Sequence, residues 1–479
     1  MSDNQVKTNI IFNVIKTLMS IIYPLVTFVY VARVLSVEGM GQVNFVKNFA
    51  SYFCLVASLG ISYYGIREGA RIAKDKYQFS KFFWEIFYIN ISTTILSLLA
   101  YVIVSLFTPH LVNYKSLLVV NAVSILLSGL SLEWVLASIE KFKYIALRSM
   151  FIQLLCIVAM FLFIQDEDDN IPYAILLIVS GYGITLFNWL YIARHQLIDR
   201  IKLSELSIKQ HFKPVLLLFA MLVSIDLYTL LDTTMLGFIK GDYSVGIYSA
   251  AIKIPRLVNS MIAAVGVVLV PRLSYYYDVD KGKFYEYVHN VMNFVFMISI
   301  PCFIFLLGMS EEIILLVCGE KYADASLTLR LLAPLTLVIP ISVLFNNQIF
   351  IPMRREYYVF QATCVGAIVN ILFNILLIND YGANGAALAS VLAELGVMSI
   401  CLFRVRKGLQ ISNMANEYFR YILLSMPMIV PIVITKYSID NLYFRLITCA
   451  VLCVIIFFFV NMKIIMHFVF NKKNNLSQL

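Results

Sequence analysis

Charged side chains are scarce in this chain. Asp, Glu, Lys and Arg together make up 14% of the 479 residues, whereas a soluble domain averages about 25%. Hydrophobic residues reach 61%, and the mean hydropathy is +0.84. No water-soluble fold can bury so much apolar surface. The composition therefore excludes a soluble domain and predicts an integral membrane protein.

Cysteine motifs and enzyme motifs are missing as well. The eight cysteines form no CxxC pair, and none stands among histidines at zinc-site spacing, so we expect buried thiols and no disulfide framework. The chain has no GxSxG, HExxH or P-loop motif and no paired-carboxylate catalytic motif on a connecting loop. These absences argue against an enzyme and against direct ATP drive within this chain. We expect no cofactor beyond a coupling ion, sodium or a proton, and the ligands of any metal ion stay unknown.

Long connections between apolar runs are absent too. A membrane-spanning helix needs about 20 mostly apolar residues. Runs of this kind occupy 10–33, 40–66, 82–107, 111–138, 145–164, 171–194, 213–239, 245–271, 285–309, 325–351, 356–378, 383–405, 417–435 and 441–468. We therefore predict an all-α membrane protein with about fourteen transmembrane helices and no soluble domain.

Lysine and arginine concentrate in every second connection. The fifth connection, QDEDDN (165–170), has neither residue, and the other odd-numbered connections are poor in both. The basic residues of the even-numbered connections include Arg67, Arg71, Lys74, Lys141, Lys143, Arg194, Arg200, Arg272, Lys281, Arg354, Arg355, Arg404 and Arg406. By the positive-inside rule, the even-numbered connections and both termini are expected in the cytoplasm.

Two stretches repeat the same pattern at a constant offset. Each has an apolar run, an acidic residue, a glycine, a second apolar run and an arginine. Gly41 and Gly246 are 205 positions apart, and Arg67 and Arg272 are separated by the same distance. Spans 1–2 therefore correspond to spans 7–8. Because corresponding spans are offset by six, an even number, both copies enter the membrane in the same direction.

This offset predicts a parallel repeat of two six-helix lobes. We expect an N-lobe at 1–200 with helices 1–6, a C-lobe at 201–410 with helices 7–12, and two extra C-terminal helices, 13 and 14, at 411–479. Transporters built on parallel repeats place the substrate between the lobes near the membrane midplane. Pro24 and Pro255 interrupt helices in the first two spans of each lobe and are candidate hinges.

Four basic residues lie deep in predicted spans, where a charge costs about 2.5–3.5 kcal/mol on insertion scales. They are Lys16, Lys47, Lys253 and Arg256. All belong to the first two spans of a lobe, and the last two are three residues apart on one helix face. A cleft lined by these residues suits an anionic head group, especially a phosphate. The alternative is that they lie near the interface and extend into water.

A second polar set contains acidic and amide side chains. Its members are Asp232, Glu394, Asn370 and Asn374. Carboxylate and amide oxygens can bind sodium, and a carboxylate can carry a proton. We therefore consider these residues candidates for ion coupling. The alternative is a structural ion pair or an inter-helix hydrogen bond.

Several motifs resemble those of bacterial polysaccharide flippases, which transport O-antigen or capsule repeat units. These proteins belong to the multidrug/oligosaccharidyl-lipid/polysaccharide exporter superfamily. The motifs are ARVLSVEGMGQVNF (32–45), GISYYGIREGAR (60–71), EWVLASIEKFKYIALRS (133–149), DTTMLGFIKGDYSVGIYSAA (232–251) and NILLINDYGANGAALASVLAE (374–394). The resemblance covers nearly the whole chain in order.

The resemblance implies two six-helix lobes around a V-shaped cleft, with helices 13 and 14 forming a groove for a lipid tail. It implies a polyprenyl-diphosphate-linked oligosaccharide as substrate, basic cleft residues in spans 1, 2 and 8, and a sodium site on spans 7, 11 and 12. It also implies a place in the bacterial inner membrane, beside a polysaccharide polymerase and chain-length machinery. No nucleic-acid partner is expected.

Two other functions remain open from the sequence. A cation-coupled multidrug exporter of the same superfamily has twelve spans, and its cavity is expected to be acidic and aromatic. A membrane polymerase or glycosyltransferase acting on the same lipid tends to carry catalytic residues on a sizeable external loop. Fourteen predicted spans, basic cleft residues and short external connections favour the flippase.

Overall fold

The computed structural model describes residues 19–20, 22–405 and 411–476, and within these the chain is helical without a strand. The helices are α1 (Ile22–Val34), α2 (Val37–Ser58), α3 (Ile61–Ile72), α4 (Lys76–Phe107), α5 (Lys115–Gly129), α6 (Glu133–Ser138), α7 (Phe142–Phe163), α8 (Asn170–Tyr182), α9 (Ile184–Arg194), α10 (Lys209–Lys240), α11 (Asp242–Val279), α12 (Lys281–Gly308), α13 (Ser310–Cys318), α14 (Ala325–Leu332), α15 (Leu335–Val343), α16 (Glu356–Val405), α17 (Ile411–Ser425), α18 (Ile429–Ser438) and α19 (Leu442–Leu476). A π-helix, Leu344–Phe350, continues α15. The all-α prediction is confirmed.

Ten helical segments in the described part of the chain are long and apolar enough to cross a membrane. The longest, Glu356–Val405, contains a sharp break at Gly382, where φ is 53° and ψ is −127°. Residues that carry a side chain rarely adopt this backbone conformation, whereas glycine adopts it without steric cost. The break divides α16 between the predicted spans 356–378 and 383–405. The chain is a multi-spanning membrane protein, and the count of fourteen spans stays a prediction.

The chain divides into two compact units, Met1–Gly246 and Ile247–Leu479. The core of the first unit includes Phe83 and Trp134, and that of the second includes Phe284 and Phe345. The predicted lobe boundaries after residues 200 and 410 stay predictions. All eight cysteines are free thiols, as expected.

Within the first unit, α2 packs backbone to backbone against the start of α11. Gly241 makes the turn before α11 with φ at 80°. A Cβ atom on Gly41 would lie only 2.7 Å from the carbonyl carbon of Asp242, and one on Gly246 only 3.0 Å from the carbonyl carbon of Val37. Neither position has room for a side chain.

This contact is reciprocal under the offset found in the sequence. Gly41 contacts Asp242, and Gly246 contacts Val37. Val37 and Asp242 are 205 positions apart, which is also the separation of Gly41 and Gly246. Such reciprocity is what a two-fold relation between two like segments produces.

In the second unit, a buried carboxylate attaches the last two helices. Glu312, at the start of α13, is 1% exposed. Its Oε1 atom accepts a hydrogen bond from Arg445 Nη1 of α19 at 3.3 Å and lies 3.6 Å from Lys436 Nζ of α18. Its Oε2 atom has no hydrogen-bond partner among the described residues. The Glu312 carboxylate thus forms ion pairs with cations on two different helices.

The acidic connection before α8 is organised by its own last aspartate. The Asp169 carboxylate accepts hydrogen bonds from the backbone N–H groups of Asp166 and Gln165, both at 2.8 Å. The N–H of Asp166, and to a smaller extent that of Gln165, stabilises the ionised carboxylate and so lowers the pKa of Asp169. The same connection meets the junction of α1 and α2, where Ser36 N–H donates to the Glu167 carbonyl oxygen at 3.2 Å.

Candidate functional site

Lys47 lines a small polar cavity in the first unit. The cavity has a volume of about 40 Å³. Its polar lining comes from α2, α5 and α8 and consists of Lys47, Ser51, Asn121, Ser124 and Tyr182. Lys47 and Ser51 are four residues apart and share one face of α2. A cavity of this size holds a few water molecules or one small polar group, so it is a subsite and not a complete oligosaccharide-binding cleft.

The other basic candidates are distributed as follows. Lys253 and Arg256 lie on α11 in the second unit, where Lys253 is half-buried and Arg256 is exposed. Lys16 lies outside the described residues. Pro24 is exposed on α1, and Pro255 is buried within α11. The roles of the basic residues in binding and of the two prolines as hinges stay predictions.

Three of the four ion-coupling candidates belong to the two halves of α16. A Cβ atom on Gly366 would contact Val397, and one on Gly396 would lie 3.6 Å from Val369. The two helical halves of α16 therefore run antiparallel, because residue 366 is paired with 397 and the later residue 369 with the earlier residue 396. The same pairs define which residues of the two halves lie side by side. Residue 370 then lies level with residue 394, and residue 374 with residue 390.

The side chains at these four positions are all buried, at 1%, 9%, 0% and 8% exposure for Asn370, Glu394, Asn374 and Ser390. Asn374 Nδ2 donates to Asn370 Oδ1 at 3.0 Å. The Ser390 hydroxyl lies 2.9 Å from that of Tyr248 on α11. The α16 hairpin therefore contains a buried layer of amide, hydroxyl and carboxylate groups.

Asp232 lies in the first unit, on α10, and is 3% exposed. Two residues further on, the Thr234 hydroxyl is 3.1 Å from that of Tyr52 on α2. Within the described part of the chain, no group of three or more His, Cys, Asp or Glu side chains has the spacing to hold a metal ion. The ligands of any coupling cation therefore stay a proposal.

Two buried polar networks were not predicted. In one, Arg148 of α7 is held by Glu133, with Nη2 3.0 Å from Oε2, and by the Asn188 side chain. In the other, Glu85 of α4 contacts His211 of α10 at 2.8 Å. Glu85 and His211 are 126 positions apart, so no local spacing pairs them. The one feature of the sequence that points to this network is Glu85 itself, a carboxylate within an apolar run.

These observations define a class: a multi-spanning helical membrane protein with basic residues and buried polar residues on its membrane-spanning helices. The particular family follows from comparison with known proteins. Residues 6–277, more than half of the chain, match the family model described as "Polysaccharide biosynthesis protein". The chain belongs to this family, and the resemblance noted in the sequence is confirmed.

Individual relatives agree with this assignment. A Shigella dysenteriae protein named "Putative O-antigen transporter" is 23% identical over 400 residues, which cover 80% of this chain and 96% of that protein. The structure of the lipid II flippase MurJ in an inward closed conformation aligns with a TM-score of 0.72 at 19% identity, over 96% of this chain and 100% of that one. An inward-facing MATE-family multidrug resistance transporter aligns at 0.63 and 17% identity, over 82% of this chain and 95% of that one. The fold is therefore that of the MurJ and MATE transporters.

Proposed function

We propose that this protein is a flippase. It moves a polyprenyl-diphosphate-linked oligosaccharide from the cytoplasmic to the outer leaflet for surface polysaccharide synthesis. The observation that carries the proposal is Lys47, an exposed lysine of α2 that lines a polar cavity. The family match, the O-antigen transporter relative and the lipid II flippase fold support the choice of substrate.

The physical task is to take sugar and diphosphate across without exposing them to lipid. Each buried hydroxyl left without a hydrogen bond costs about 1–3 kcal/mol. The hydroxyls and amide around Lys47 offer hydrogen bonds to a polar head group, and the ammonium offers charge to a phosphate. Lys253, Arg256 and Lys16 supply the remaining positive charge in this proposal, while the prenyl tail stays in the bilayer.

Alternating access requires that the bundle opens on one side at a time. In the proposed topology, both termini are cytoplasmic and the turn at Gly241 is external. The contact of Gly41 with Asp242 then closes the external end. Pro24 and Pro255 serve as hinges. Transport is coupled to an ion, with Asp232, Glu394, Asn370 and Asn374 as candidate ligands or carriers.

The cell biology follows from the substrate. The protein acts in the bacterial inner membrane, where a polysaccharide polymerase and chain-length machinery consume the exported unit. It catalyses no covalent step itself. In reconstituted liposomes we expect a polyprenyl diphosphate carrying a short labelled oligosaccharide to change leaflets without chain growth. Chain growth would instead establish a polymerase, and transport of cationic drugs alone would establish a multidrug exporter.

The direct test of the site is Lys47→Ala. Loss of one charge-assisted contact is expected to weaken binding of the diphosphate lipid about ten- to a hundredfold. Lys47→Arg should have a milder effect, because it keeps the charge and alters the geometry. The matched control is Lys115→Ala, which removes an equally exposed lysine, at the start of α5, that does not line the cavity. If Lys47→Ala reaches the membrane and binds and exports like the control, the phosphate site is wrong.

A further inference from the structure

Three titratable side chains form a buried hydrogen-bonded chain in the first unit. The Tyr64 hydroxyl is 2.8 Å from His211 Nδ1, and His211 Nε2 is 2.8 Å from Glu85 Oε2. Their exposed fractions are 6%, 6% and 2% for Tyr64, His211 and Glu85. Acidic residues are almost never this buried unless they are paired. This chain is separate from the proposed phosphate and ion-coupling residues.

All the partners of Glu85 in this network come from one short segment. The Ser207 N–H group donates to Glu85 Oε1 at 2.6 Å, and Gln210 Nε2 donates to Oε2 at 3.3 Å. His211 follows directly, in the first turn of α10. Residues 207–211 comprise the end of the connection between α9 and α10 and the first turn of α10. If this segment moves away from α4, Glu85 loses its three partners together.

Few other charges act on the pair. The Phe82 ring lies 5.4 Å from the His211 ring and 5.7 Å from that of Trp134 of α6, so two sides are apolar. On α3, Arg67 and Glu68 are bonded to each other at 3.0 Å. Further charged residues on the packed elements are half-buried Lys81 on α4 and Glu133 on α6, and a solvent-exposed set that includes Arg71, Lys76, Asp199, Arg200, Lys202, Glu205, Lys209 and Lys213.

This geometry can hold an additional proton without moving a heavy atom. A neutral His211 donates its Nε2–H to the carboxylate and accepts at Nδ1 from the Tyr64 hydroxyl. A protonated His211 donates from both nitrogens, and the same hydroxyl then accepts. Without the added proton the buried pair carries a net negative charge. With it the pair is neutral overall, which burial favours.

We propose that Glu85 and His211 form a proton-binding site whose occupancy holds the start of α10 against α4. Binding of a proton stabilises the docked segment, and loss of the proton favours its release. A ligand that prefers one of two conformations shifts their populations in proportion to that preference. This proposal rests on the proposed function, to whose ion-coupling candidates it adds a separate proton-binding site.

The intrinsic tryptophans provide a readout that does not depend on transport. The chain has three. Trp84 donates its Nε1–H to the Asp199 carbonyl oxygen at 2.9 Å, and Trp134 packs on Phe82 beside His211. In the full-length protein in detergent, we expect a fluorescence transition when the pH is varied, because docking or release of the segment changes the surroundings of both tryptophans. Amide exchange at Ser207, corrected for its intrinsic pH dependence, should be about tenfold slower at the acidic end.

Glu85→Gln and His211→Gln are each expected to remove this transition. The control, His195→Gln, changes an exposed histidine before the same connection and should leave it intact. If the wild-type protein shows no transition and no change in exchange at Ser207, the site is refuted without recourse to any variant. Persistence of the transition in Glu85→Gln and His211→Gln would refute it as well.

A transport assay separates this proposal from the proposed function. In liposomes loaded with the labelled diphosphate lipid, a pH gradient should accelerate leaflet exchange by the wild type and not by Glu85→Gln. Exchange that is insensitive to the gradient in the wild type would overturn the coupling role. Absence of exchange in every variant, together with an intact fluorescence transition, would contradict the flippase and leave proton binding established.

Discussion

Replacement of Glu312 by glutamine tests how the last two helices are attached. The substitution keeps the side-chain volume and removes the charge that faces Arg445 and Lys436. Removing one partner of a buried ion pair costs about 3–5 kcal/mol. The two cations keep 22% and 29% of their side-chain surface exposed, so water compensates for part of the loss. We therefore expect a destabilisation of about 2–3 kcal/mol.

The matched control lies next to it in the same helical turn. Glu311 is exposed, so Glu311→Gln should change the free energy of unfolding by less than about 0.5 kcal/mol. The assay is thermal unfolding in detergent, combined with hydrogen exchange resolved over 429–462. Exchange should accelerate in α18 and α19 in Glu312→Gln only. If both variants unfold like the wild type, the carboxylate does not hold these helices and the argument fails.

Two further predictions concern the external end. Gly41→Ala places a methyl group against the Asp242 carbonyl, and such overpacking costs about 1–3 kcal/mol. In a protein whose other cysteines are replaced, an impermeant thiol reagent should then label Cys54 faster from outside. The control is Gly181→Ala, where the structure leaves open space, and it should not change the labelling. Equal labelling of Cys54 in both variants would contradict the closing contact. For topology, Asp168→Cys should react with the same reagent in whole cells, and reaction only after lysis would reverse the assigned orientation.

Much of the helical framework could be predicted because it depends on local pattern. Apolar runs of sufficient length placed the helices, and the gap between predicted spans 11 and 12 coincides with the break at Gly382. The amides Asn370 and Asn374 were recognised from a spacing of four residues, which brings side chains together on any helix. Here the side chains form a hydrogen bond.

The remaining features depend on contacts between distant segments. The partnership of Glu85 with His211 joins two helices that the sequence gives no reason to place side by side. The same holds for Glu312, whose partners lie more than a hundred positions away. The repeat identified Gly41 and Gly246 as equivalent positions but not as neighbours in space. Packing between helices decides such pairings, and one sequence contains little information about it.

The reciprocal glycine contact has a consequence for how this chain tolerates change. In a symmetric dimer, a residue beside the two-fold axis meets its own counterpart, so one substitution alters both sides of the interface. Here both copies of the segment are in one polypeptide, and Gly41 and Gly246 can vary separately. A larger residue at either position still meets the backbone of the other copy. The two segments can therefore diverge at other positions, whereas these two positions both stay restricted to glycine by backbone that lies against them.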